Sequence, residues 1–197
     1  MCGIGGVFTH HAGDSIDPQL LVNMAAIQAH RGPDGSGLWL DDGIALGHRR
    51  LSIIALTAAA AQPMHSGSDR YVLTYNGEIY NYRELRTELE QTGVSFRTGS
   101  DTEVLLEAYK QWGLECLDRF NGMFAFALWD GTCRRLILAR DRLGKKPLFY
   151  YKLPRGGLIF ASELKALLED PRVPRKMNMR ALSQYLSFGY VTGEETM

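Results

Sequence analysis

The stretch GMFAFALWD, residues 122–130, is apolar on both faces at strand spacing. In a strand, alternate side chains point to opposite sides. A strand apolar on both sides must therefore be covered on both sides. The Phe124, Phe126 and Leu128 stripe reads as core. Asp130-Gly131 turns the chain and RRLILARD returns beside it. Further strands are expected at 4–8, near 37–41, 44–48 and 70–75, and at 147–152 and 157–161. Asp17-Pro18 supplies an N-cap and a proline at the first helical position. Leu20, Leu21, Met24 and Ile27 then follow at helical spacing. Asn81 with Glu84, and Ser100 with Glu103, read as capping boxes, with stops at Gly93 and Gly113. Another helix is expected from Glu163. The pattern is an antiparallel, strand-rich α+β domain, with stacked sheets between helical layers.

The chain has 197 residues, enough for one sizeable core. Twenty-two basic residues balance 22 acidic ones, so nothing points to nucleic acid or an anionic membrane surface. No apolar run is long enough to span a bilayer, and MCGIGGVFTHH has no basic leader. A cytoplasmic location is expected. Three cysteines, Cys2, Cys116 and Cys133, without a C-x-x-C pair suggest neither a disulfide framework nor a zinc site. The five histidines form no metal cluster, so no metal ligands are assigned. Arg140, Asp141 and Arg142 read as a buried or turn-stabilising ion cluster. From about Pro171 the character changes: two prolines, a helix-like MRALSQYLSF and VTGEETM. A domain over residues 1–170 is expected, with 171–197 a linker and the start of a following segment.

Cys2 differs from the other cysteines only in position. With Met1 removed it would carry a free α-amine beside its thiol. Those groups titrate near ~7.7–8.0 and ~8.5 in model compounds, so the amine can take the thiol proton. A terminal amine serving its own residue as base is a known form of nucleophile activation.

The segments MCGIGGVF, HRGPDGSG, GHRRLSI, QPM, YNGEIYNY, GSDTE, GMFAFALWD, ARDRLGKKPLFYY and FASELKAL occur in this order. Together they resemble the N-terminal glutaminase domain of asparagine synthetase-type amidotransferases. The resemblance implies the N-terminal-nucleophile hydrolase fold, a four-layer α/β/β/α sandwich of two antiparallel sheets. It implies hydrolysis of L-glutamine to glutamate and ammonia through a Cys2 thioester. Asn76 and Gly77 match the oxyanion hole, although Asn-Gly alone reads as a hairpin turn. Arg50 matches the residue that grips the substrate α-carboxylate, and Leu51, Ser52, Ile53 and Ile54 match the stretch lining the glutamine site. Glu78 and Asp101 match the acids facing the α-ammonium. The implied partner is the chain's own C-terminal synthetase domain, with no nucleic acid or membrane; the oligomeric state is left open, a homodimer being one option. No cofactor is expected in this domain, and ATP and Mg only in the missing synthetase half.

Two features depart from the family. Ala55 stands in LSIIAL where an acid is common, and Ala58–Ala61 precede Gln62-Pro63-Met64. No SGG-x-D-S pyrophosphate motif is present. The acceptor that receives the ammonia is left open, with aspartate the default by resemblance. Rival readings are a catalytically idle domain used for binding or assembly, and an amidotransferase of the purine or glucosamine type.

Overall fold

The computed structural model describes residues 1–10, 15–52, 60–193 and 195. The run at 122–130 is β6 (Gly122–Asp130), and it is covered on both sides. Phe124, Phe126 and Leu128 pack toward helices α2 (Tyr82–Gln91) and α3 (Asp101–Trp112), with Leu85, Leu89, Val104 and Leu105. Ala127 and Trp129 face the other way, against Ile44, Leu46 and Phe160 of a second sheet.

The two sheets are antiparallel. One orders β4 (Met64–His65), β5 (Tyr71–Ile79), β6 and β7 (Arg135–Arg140). The other orders β2 (Gly35–Asp41), β3 (Ile44–Arg50), β1 (Gly3–Phe8), β9 (Leu158–Ala161) and β8 (Phe149–Lys152). The outer face of this second sheet carries α1 (Pro18–Ala26) and the short α5 (Leu164–Leu167), through Val7, Met24, Ile159, Ala161 and Leu167. The result is the four-layer α/β/β/α sandwich. Burying apolar area at roughly 25 cal/mol per Å² on three successive interfaces holds the layers together.

The helix starts follow the sequence with two corrections, at Glu103 and Asn81. Asp17 caps α1 by accepting from the Gln19 N–H, with Pro18 following it. Ser100 caps α3 through the Glu103 N–H. The Glu103 carboxylate does not return to Ser100. It accepts from the Arg97 and Thr98 N–H groups at 2.9 and 2.6 Å, which clamps the approach to α3. Asn81 makes no capping bond. Its amide instead spans to the end of the short helix α4 (Cys116–Arg119) and the loop after it, donating to Arg119 O and accepting from the Asn121 N–H. That segment satisfies both ends of the amide, where a cap would use only its oxygen.

Strand β5 is longer than expected. It runs through Asn76-Gly77 to Ile79, each residue paired in register with β6. Asn-Gly is therefore strand here and not a turn. After β9 and α5, α6 (Met179–Phe188) carries an Asn178 cap and buries Ala181. Met179, Tyr185, Leu186 and Phe188 on it are exposed. Among the described residues no helix is long and apolar enough to cross a membrane.

His48 on β3 ties the two sheets together beside β5. Its Nε2 lies 3.2 Å from the Tyr75 carbonyl, and it is 1% exposed. Burial lowers its pKa to about 4, so the ring is neutral and donates to the carbonyl. The unfolded chain takes up a proton near pH 6.5, while the folded chain resists until about 4. Stability therefore falls as pH drops through that window, by roughly 3 kcal/mol at its end. Urea unfolding from pH 7 to 4 is expected to show this slope, and His48→Gln to flatten it.

Candidate functional site

Cys2 sits just before β1, in the middle of one sheet. Asn76 and Gly77 sit on β5, in the other. Stacking the sheets brings these residues to one cleft of about 90 Å³. Its wall includes Cys2, Arg50, Leu51, Asn76, Gly77, Glu78 and Asp101.

The backbone at Cys2 is fixed from behind. Arg31 Nε donates to the Cys2 carbonyl at 3.0 Å, and Arg31 is itself paired with Glu163 at 3.2 Å. The sulfur faces Leu51, whose N–H lies 3.4 Å from it and whose carbonyl lies 3.6 Å away. Burial pushes the Cys2 thiol above its ordinary range. The Leu51 N–H and the positive charges of the N-terminus, Arg50 and Lys146 pull it back in part.

Across the cleft, β4 pairs with β5 only at Leu73 and Val72. Among the described residues, no strand lies beside the outer edge of β5 beyond Leu73. In an antiparallel strand, alternate N–H groups point to the same edge. The Tyr75 N–H on this edge goes to Gln62 Oε1 at 2.6 Å, and the Ile79 N–H goes to Asp101 Oδ2 at 3.1 Å. Tyr80, of the other parity, donates to Asn121 O on the β6 side. The Gly77 N–H thus lies on the open edge, between two satisfied neighbours. Asn76 is 1% exposed, and its Nδ2 has no hydrogen-bond partner among the described residues. Leaving a buried donor unpaired costs about 1–3 kcal/mol. Two donors, one side-chain and one backbone, therefore belong to the cleft that holds Cys2.

Asp101 opens α3 and is 4% exposed. It accepts from the Tyr75 hydroxyl at 2.7 Å as well as from Ile79. Burial raises its pKa, and these bonds offset part of that rise. Arg50 ends β3 on the other sheet, so the cleft is lined by both a cation and acids.

A family model described as a glutamine amidotransferase domain matches residues 1–197. The chain belongs to that family. This amidotransferase domain is 40% identical over 192 residues to asparagine synthetase [glutamine-hydrolyzing] 3 of Bacillus subtilis, covering 96% of this chain and 31% of the relative. It is 42% identical over 169 residues to asparagine synthetase B of Escherichia coli, covering 85% and 30%. The chain thus spans about a third of the length of these relatives. Among solved structures, glutamine phosphoribosylpyrophosphate amidotransferase from B. subtilis superposes with a TM-score of 0.68 at 25% identity, over 84% of this chain and 43% of that one.

Ser52 is not part of the cleft wall: Asp34 Oδ2 holds its N–H at 2.8 Å. Ile53, Ile54, Ala55, Ala58 and Ala59 lie outside the described residues. Tyr75, Gln62, Thr102, Met123 and Lys146 line the amidotransferase cleft without having been singled out for it from the sequence. Gln62 stands in QPM and Lys146 in GKKPLF, but no spacing relates either to Cys2. Among the described residues no group of three or more His, Cys, Asp or Glu is placed to hold a metal.

Gly77 is required by space. A Cβ there would lie 2.4 Å from the Met123 carbonyl and 2.8 Å from Phe124 Cα, both backbone atoms. Gly77→Ala must therefore push β5 off β6, at about 1–3 kcal/mol. Thermal unfolding is expected to show a midpoint several degrees lower.

Proposed function

We propose that this domain hydrolyses L-glutamine to glutamate and ammonia. The observation that carries the reading is the buried, unpaired Asn76 amide beside the open-edge Gly77 N–H, both lining the cleft that holds Cys2.

The reaction needs Met1 removed. Met1 lines the cleft and its carbonyl makes the Cys2 nitrogen an amide, which is no base. In the processed chain the α-amine takes the thiol proton. The Cys2 sulfur attacks the side-chain amide carbon, and the carbonyl oxygen gains negative charge. Asn76 Nδ2 and the Gly77 N–H donate to that oxygen. The amine returns the proton to the leaving nitrogen and ammonia departs. Water then cleaves the thioester through a second oxyanion at the same donors, releasing glutamate.

Arg50 grips the substrate α-carboxylate, with the planar fork that suits it. Asp101 and Glu78 face the α-ammonium, so a free amino acid fits and a peptide does not. Asp101 is a rigid acceptor because its bonds to Tyr75 and Ile79, and the Glu103 clamp before α3, fix it. Leu51 contributes backbone beside the sulfur.

The relatives' names, and the roughly threefold greater length of those proteins, support a following synthetase domain as recipient of the ammonia, with ATP and Mg acting there. The exposed apolar side chains of α6 fit a segment that packs against that domain. Residues 171–197 would then be the link to it. Aspartate is the favoured acceptor by resemblance. Three free thiols suit a reducing, cytoplasmic setting.

The test is glutamate release from glutamine by the purified chain, with intact mass confirming loss of Met1. Cys2→Ala is expected to abolish release, and full activity in that variant would sink the mechanism. Asn76→Ala is expected to lower kcat by about 10²–10³ with a smaller change in KM. Circular dichroism of Asn76→Ala checks that the loss is not one of folding.

A further inference from the structure

Lys146 is a buried cation for which the proposed reaction has no use. It is 7% exposed and lines the cleft with Cys2 and Asn76. Among the described residues no hydrogen bond or ion pair is found at its ammonium, whereas its backbone N–H is firmly held. A buried charge without a partner is expensive.

Its placement is enforced. The Asp141 carboxylate, 6% exposed, accepts from the N–H groups of Phe124, Leu143, Lys145 and Lys146 at 3.1, 3.2, 2.9 and 3.0 Å. Burial alone would raise the Asp141 pKa, but these four donors bring it below the usual carboxylate range. The acid is therefore ionised at neutral pH and holds the turn between β7 and β8 closed. That turn delivers Lys146 to the cleft. Asp141 thus stabilises the turn as the sequence suggests, but through backbone donors and not through an ion cluster with its neighbours. Arg142 instead approaches Asp118, at 3.9 Å.

Several charges surround the Cys2 sulfur. On the positive side are Arg50 and Lys146, with the α-amine of Cys2 itself once Met1 is removed; Asp101 and Glu78 line the same cleft. Tyr75 and His48 are neutral. Substrate changes this balance. Its α-carboxylate would neutralise Arg50 just when the thiolate is needed, which leaves Lys146 as the fixed cation of the protein wall.

We infer that Lys146 is a positioning residue for the nucleophile, its ammonium holding the Cys2 sulfur as thiolate while Arg50 is occupied by substrate. This rests on Cys2 being the nucleophile. Both Arg50 and Lys146 act on the thiol in the direction required.

The experiment is iodoacetamide alkylation of the Met1-free chain across pH, followed at the Cys2 peptide by mass spectrometry. Cys133, exposed and remote in sequence, is the internal reference. Lys146→Met is expected to raise the Cys2 midpoint by roughly one pH unit, because loss of a nearby positive charge disfavours the thiolate. Lys146→Arg should return it to the wild-type value, and Cys133 should not move. An unchanged Cys2 midpoint in a folded Lys146→Met protein overturns the inference. If Lys146→Met does not fold, Lys146→Gln is read the same way. The readout needs no glutamine. A shifted midpoint in a chain that releases no glutamate would sink the glutaminase reading and leave the effect of Lys146 on the thiol standing.

Discussion

The site depends on an edge that is left unfinished. Strand β4 stops after two residues, and among the described residues no strand accepts the N–H groups of β5 beyond Leu73 on that side. An unpaired strand edge is normally a liability. Here side chains close it selectively. Gln62 takes the Tyr75 N–H and Asp101 takes the Ile79 N–H. The Gly77 N–H between them lies on the same edge with no hydrogen bond among the described residues, and on the proposed mechanism it is kept for the substrate. A nine-residue strand paired along its whole length with β6 is rigid, and it aims that donor before any substrate arrives. Donors preorganised in this way supply much of the rate enhancement of many acyl-transfer enzymes.

The sandwich supplies the second half of the geometry. On the proposed mechanism the nucleophile comes from the sheet containing β1 and the oxyanion donors from the sheet containing β5. Their separation is therefore set by the packing of the two inner faces, at Ile44, Leu46, Val72, Ala127, Trp129 and Phe160. Polar ties across that interface keep register. Thr74 donates to the Gly47 carbonyl at 3.2 Å, and His48 reaches Tyr75. Charged clamps behind the cleft hold its groups in place: Arg31 with Glu163 behind Cys2, Glu103 behind Asp101, and Asp141 behind Lys146. Each clamp binds backbone, so it fixes a loop instead of merely pairing a charge.

Much of this was legible in the sequence. The two-faced apolar run at 122–130 required cover on both sides, and periodicity located nearly every strand. Cys2 had a chemical rationale from its position, and the ordered segments pointed to Asn76, Gly77, Arg50 and Asp101. What escaped were long-range choices among equivalent partners. Asn81 and Glu103 have the right spacing for capping boxes, yet each found partners outside its helix. Asn-Gly favours a turn locally, but pairing with β6 overrides it. Gln62 and Lys146 reach the cleft from loops whose course is set by tertiary packing, and no local pattern announces that.

On the proposed route, glutamine passes through a thioester on Cys2. The most direct measurement is to mix the Met1-free chain with isotopically labelled glutamine, quench in acid during turnover, and map labelled peptides by mass spectrometry. A glutamyl adduct is expected on the Cys2 peptide, and it should be absent when the mixture is quenched after glutamine is exhausted. Steady glutamate release with no adduct at Cys2, or with label on another residue, would contradict the covalent route.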